Sequence, residues 1–165
     1  MSFREETSND GAVLASSSRG AWATLVTGEK YLPGVAVFAE SLLRGSQNHK
    51  GSAYPLVAMV TPDVQEEAIE ALVSLGCQIR PVKRLHPGHS KGDKNMAFAH
   101  FGDVWTKLRA FDLVEHDRVI MVDSDMLVRK NMDELFEKEM ADDHIMATFA
   151  CTCNPAKNPN YPAEW

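Results

Sequence analysis

Arg118-Val119-Ile120-Met121-Val122-Asp123-Ser124-Asp125 is the stretch that decides the fold. Its short unbroken apolar run reads as a strand buried on both faces, the mark of a parallel sheet inside an α/β domain. Two carboxylates two residues apart, just past such a strand, land at its carboxyl end, where open α/β sheets bind their ligands. Hard oxygen donors at that spacing suit Mg(II) or Mn(II), ions held by one or two protein carboxylates together with substrate phosphates. The pattern therefore implies a metal-bridged phosphate compound, most simply a nucleotide-linked donor.

Upstream, the chain alternates strands and helices. Ala21 to Thr27 reads as a first strand, and Val35, Phe38, Ala39, Leu42 and Leu43 then recur at helical spacing between Pro33 and Gly45. Pro55 to Val60 is a second strand. Thr61-Pro62 offers an N-cap and a first-turn proline to a helix carrying Ile69, Leu72, Val73 and Leu75, with Gly76 at its end. Cys77 to Val82 gives a third strand, and residues 83–102 a long polar loop. Asp103 is expected to cap a helix with an apolar face of Val104, Leu108 and Phe111. At about 100° per residue Lys107 falls beside that stripe, whereas Arg109 points away. Downstream, Asn131-Met132-Asp133-Glu134 resembles a capping box, and Ile145 to Phe149 is a last candidate strand. The order β-α-β-α-β-loop-α-β implies an α/β fold, a mostly parallel sheet with flanking helices and right-handed crossovers.

Composition narrows the function classes. The chain has 165 residues, 44% apolar and 24% charged, with 17 Lys and Arg against 23 Asp and Glu for a net charge of −6. That length supports one core, and without a basic stripe no nucleic-acid partner is expected. Residues 1–20 are polar and Ser-rich and read as a disordered leader, leaving 21–165 as the folded portion. No signal or membrane-length segment is visible, so the expected location is cytoplasmic. The three cysteines, Cys77, Cys151 and Cys153, do not make a zinc pattern or a disulfide framework. Met121 and Met126 read as core, Glu66, Glu67 and Glu70 as a solvated helix face, and Trp105 as core or a subunit contact.

Thr24-Leu25-Val26-Thr27 with Tyr31, then Trp105-Thr106-Lys107-Leu108, then Val119 to Val128 containing the D-x-D, with Asn131 and Leu135-Phe136 after it, together resemble glycosyltransferase family 8, the glycogenin and galactinol-synthase group. The tail Cys151-Thr152-Cys153-Asn154-Pro155 with Tyr161-Pro162 resembles the fungal or plant branch of that family. The resemblance implies a GT-A nucleotide-diphosphosugar fold and metal-dependent, retaining transfer of a hexose from a UDP-sugar to a polyol, glycan or protein tyrosine. It implies that Asp123 and Asp125 bind Mn(II) or Mg(II), that the Ser124 backbone approaches the ribose, and that Leu25, Thr27 and Tyr31 hold uridine. Lys107 is the implied catalytic cation on the donor diphosphate, and His100 stands where the family often carries a basic residue.

The sequence also departs from the family. A family Asn in the turn after the first strand is Gly28 here, and the downstream H-x-x-G-x-x-K-P-W segment is absent. His89-x-x-Gly92-x-x-Asn95 copies part of that spacing, but ahead of the D-x-D. The chain thus reads as the nucleotide-binding part of a truncated GT-A domain, whose exposed sheet would favour association into a homo-oligomer. Two alternatives remain at this level: a non-catalytic nucleotide-sugar-binding fragment, and a haloacid-dehalogenase-type phosphatase with Asp123 as nucleophile.

Overall fold

The computed structural model describes residues 19–86 and 99–148, and of 99–102 the backbone only. In chain order these form β1 (Gly20–Val26), a 3-10 turn (Glu29–Tyr31), α1 (Leu32–Ala39) and a π-helical turn (Glu40–Arg44). A small hairpin of β2 (Gly45–Ser46) and β3 (His49–Lys50) follows, then β4 (Leu56–Val60), α2 (Glu66–Ser74) and β5 (Gln78–Pro81). A 3-10 helix (Ala99–Asp112), β6 (Arg118–Met121) and a last 3-10 turn (Asp133–Glu137) complete the set. No helix among the described residues is long and apolar enough to cross a membrane.

The main sheet has the order β5-β4-β1-β6, with every pairing parallel. β1 lies in register with β4 from Trp22↔Leu56 to Val26↔Val60, and with β6 from Gly20↔Arg118 to Ala23↔Met121. The α/β class and the parallel sheet are as the sequence implied.

Alternation along the strands supplies both faces. Trp22 and Val26 of β1, with Leu56, Ala58 and Val60 of β4, meet Val35, Phe38 and Leu42 of the first helical segment and Ala68 and Leu72 of α2. Ala21, Ala23, Leu25, Val57 and Met59 face the opposite side, against Leu113 and Ala110. The buried Trp22 indole donates to Ser52 Oγ at 2.8 Å, and its ring meets Phe136 edge-on at 4.9 Å. Tyr54 stacks on that same Phe136 at 3.9 Å, so the L-F pair after the D-x-D is a core anchor.

Six expectations change. β1 and β4 are buried along their whole length, whereas β6 is half-buried, because among the described strands it has a neighbour on one side only. Thr61-Pro62 turns the chain rather than capping it: α2 starts at Glu66 after Gln65, without a side-chain cap. Its far end follows the sequence, Gly76 taking φ 92° and donating to Val73 O at 2.9 Å. Asn131 forms no capping box either, since its Oδ1 accepts from the Asp133 N–H at 2.9 Å while its amide donates to Gly51 O at 3.1 Å. Residues 145–148 form no strand, with Ile145 and Met146 exposed, and Met126 is exposed too rather than core. Of the expected leader, 1–20, Gly20 already begins β1; residues 1–18, with Phe149, His89, Gly92, Asn95, Cys151 and Cys153, lie outside the described residues.

The sixth change concerns the segment carrying Lys107. A 3-10 helix repeats every three residues instead of 3.6, so the expected face rotates out. Val104, Leu108 and Phe111 are all exposed, as is Trp105, while Thr106 and Leu113 are buried.

Candidate functional site

The strand order fixes where a ligand fits. From β1 the chain steps outward to β4 and β5, then returns to the opposite side of β1 to form β6. The crossover direction therefore reverses between β1 and β6, and the crevice at their carboxyl ends is the switch point where open α/β sheets bind ligands. A cleft of about 200 Å³ lies there, lined by Leu25, Thr27, Tyr31, Asp103, Val104, Lys107, Asp123, Ser124 and Asp125.

Seven of those residues were singled out by sequence: Leu25, Thr27, Tyr31, Lys107, Asp123, Ser124 and Asp125. They come from segments up to a hundred residues apart, brought together because β1 and β6 are hydrogen-bonded neighbours. The Val122 N–H extends that pairing by donating to Ala23 O at 2.9 Å, which delivers the acidic turn beside the end of β1. The side chain of the eighth candidate, His100, lies outside the described residues.

Two local devices hold the acidic turn. Gly34 of α1 faces it so closely that a Cβ there would stand 3.0 Å from Ser124 O and 3.3 Å from Asp125 Cα. Farther along, the Val128 N–H donates to Ser41 Oγ at 3.1 Å. By contrast Gly28 has extended backbone and open space where a Cβ would point, so its difference from the family Asn has no steric cause.

Asp123 is paired with the Lys107 ammonium, and both side chains stay more than a third exposed. The two aspartates bring hard oxygen donors into one cleft. Among the described residues they are not joined by a third His, Cys, Asp or Glu in a ligand cluster. A donor set of this kind fits Mg(II) or Mn(II), whose remaining positions are taken by water and phosphate oxygens. Tyr31 packs against the helix-side core while also lining the cleft, and Lys30 Nζ sits 4.9 Å from its ring centre.

Sequence reasoning missed Asp103 as a cleft residue, and it missed Arg84. The Arg84 guanidinium pairs with Asp103, donates to Asp63 at 2.7 Å and reaches Thr27 O at 3.3 Å. The Asp103 contact chiefly, and Asp63 next, hold the Arg84 pKa above its usual value. Arg84 in turn holds the Asp63 carboxyl below the ordinary carboxylate range. The only sequence signal was an arginine just past a strand end in a polar loop.

Comparison with known proteins shows the family of the chain. The family described as Glycosyl transferase family 8 matches residues 23–161. Over 164 residues the chain is 30% identical to galactinol synthase 10 of Arabidopsis thaliana, covering 98% of this chain and 47% of that protein. It is 32% identical to galactinol synthase 6 of the same plant, with the same coverage. Against galactinol synthase 2 of Solanum lycopersicum it is 34% identical over 143 residues, 86% of this chain and 40% of that one. The chain thus spans less than half the length of these relatives.

Proposed function

The chain belongs to glycosyl transferase family 8, and on that premise we propose that it is the donor-binding portion of a metal-dependent, retaining hexosyltransferase using a UDP-sugar. The observation that carries the reading is the cleft itself, which gathers the expected uridine, diphosphate and metal residues at the switch point of the sheet. Leu25, Thr27 and Tyr31 form the nucleoside end. Ser124, its backbone braced against Gly34, offers main-chain contacts to the ribose.

Asp123 and Asp125 would hold Mn(II) or Mg(II), which when bound supplies Lewis-acid stabilisation of the departing diphosphate. Lys107 leaves Asp123 for the diphosphate and adds a charge-assisted contact there. Placed donors of this kind favour the charge that develops on the leaving group as the glycosidic bond breaks. The acceptor is a polyol, glycan or tyrosine hydroxyl. The phosphatase alternative has no support in this arrangement: it needs the acidic motif on the first strand, whereas here it follows β6, after β1, β4 and β5 in the chain.

The test is a turnover assay with UDP-hexoses and Mn(II), read alongside the mass of the Asp123 peptide. Slow metal-dependent release of UDP, with an unmodified Asp123, is the expected result for this chain. The same sequence extended to the length of its relatives should transfer hexose. Phosphoaspartate on Asp123, with only inorganic phosphate released from simple esters, would overturn the proposal.

A further inference from the structure

The cleft contains a carboxylate that neither the metal nor the diphosphate accounts for. Asp103 opens toward the cleft and is gripped from behind by Arg84. The same guanidinium donates to the carbonyl of Thr27, which also lines the cleft. Asp103 and Thr27 therefore share one donor group and stand at the same end. Lys107 sits four residues farther along the 3-10 helix, on Asp123. A rise of about 2.0 Å per residue puts Asp103 and Lys107 about 8 Å apart along the axis. That is the scale separating a pyrimidine from the diphosphate of one nucleotide.

Arg84 is placed to hold this end rigid. It leaves the sheet just after β5, and its partners Asp63 and Thr27 leave just after β4 and β1. One planar fork thus ties three strand ends to the 3-10 helix. The neighbouring Leu85 N–H donates to the buried Thr106 Oγ1 at 3.1 Å, a second tie between the same segments. A lysine, a point charge on a flexible stem, does not reproduce such a fork.

An ionised carboxylate accepts hydrogen bonds and donates none. We infer that Asp103 reads the base of the donor, accepting from the ring N–H of uracil, and that Arg84 is the positioning residue that presents it. Resting on the proposed UDP-sugar reading, this names the group that sets its base specificity. Cytosine carries a lone pair where uracil carries that N–H, so it meets the carboxylate acceptor to acceptor. A site built to bond a substrate N–H discriminates strongly against a ligand lacking it.

The test is equilibrium binding of uridine and cytidine, without phosphates or metal, to the 165-residue chain and its variants. Wild type should bind uridine at least tenfold more tightly than cytidine. D103N, near-isosteric but able to donate, should bring the two within about threefold. R84Q should lower uridine affinity at least fivefold and shrink the preference, with R84K in between and melting temperatures close to wild type. If R84Q melts early, D103N alone decides. No preference in wild type, or an unmoved ratio in D103N, overturns the inference. UDP titrations of K107A run beside these separate the two claims. Lost UDP affinity with an unmoved D103N ratio overturns base reading but leaves the proposed function standing. A collapsed D103N ratio with UDP indifferent to K107A and Mn(II) supports base reading and overturns the donor assignment.

Discussion

Replacing Lys107 by Ala should move two affinities in opposite directions. Lys107 is paired with Asp123, with side chains 37% and 56% exposed. A pair that open to water contributes about 0–1 kcal/mol, so freeing Asp123 should strengthen Mn(II) binding alone by up to about fivefold. The diphosphate sees the reverse. A hydrogen bond to a charged group is worth about 1.5–3 kcal/mol, so UDP binding in Mn(II) should weaken roughly 10- to 150-fold. Uridine, without phosphates, should bind the variant as it binds wild type. Mn(II) electron paramagnetic resonance measures the metal alone, and calorimetry measures UDP and uridine. Equal losses for UDP and uridine would indicate damage to the fold, and weaker Mn(II) binding in the variant would refute the competition for Asp123.

Further outcomes follow from single positions. Gly34→Ala adds a Cβ 3.0 Å from Ser124 O; overpacking costs about 1–3 kcal/mol against a helix-propensity gain of about 1 kcal/mol. Stability should therefore fall by about 0–2 kcal/mol while Mn(II)-dependent UDP binding falls severalfold, and unchanged UDP binding would refute the brace. Gly28→Asn enters open space on extended backbone, so its melting temperature should match wild type and its uridine affinity should rise; an early melt would count against that geometry. Burial pushes the Cys77 thiol from its ordinary 9.0 up to about 11. The unfolded chain loses that proton first, so stability is fully present below pH 9 and declines between about 9 and 11, by roughly 2–3 kcal/mol. Denaturant titrations should show that slope removed in Cys77→Ala, and an equal slope in both proteins would refute it.

What the sequence revealed and what it hid divide along physical lines. The acidic pair could be placed because an apolar run followed by carboxylates puts them at a strand's end whatever surrounds it. Leu25 and Thr27 could be joined to Asp123 through the family resemblance, and the structure shows why they meet: β1 and β6 are adjacent. Period was where sequence reasoning failed. Val104, Leu108 and Phe111 make a convincing face at 3.6 residues per turn, and that face is lost in the 3-10 geometry adopted here. Capping at Thr61 and Asn131 failed for different reasons: Thr61 carries its turn through the backbone, its carbonyl accepting from the Val64 N–H, and Asn131 bonds the Asp133 N–H two residues on, as such side chains do in turns. Arg84 was hidden because its partners Asp63, Asp103 and Thr27 are distant in the chain, and single-sequence patterns do not report such pairings. Asp103 was noticed only as a helix cap for the same reason.

The central claim is that Asp123 and Asp125 join a metal and a nucleoside diphosphate in one cleft. Calorimetric titration of UDP with and without Mn(II), on wild type and on Asp125→Asn, tests it directly. Two carboxylates leave an octahedral shell incomplete until phosphate oxygens enter it, so metal alone should bind weakly and metal with UDP much more tightly. Mn(II) should raise UDP affinity at least tenfold in wild type and leave it unchanged in Asp125→Asn. UDP binding that ignores both the metal and the mutation would contradict it.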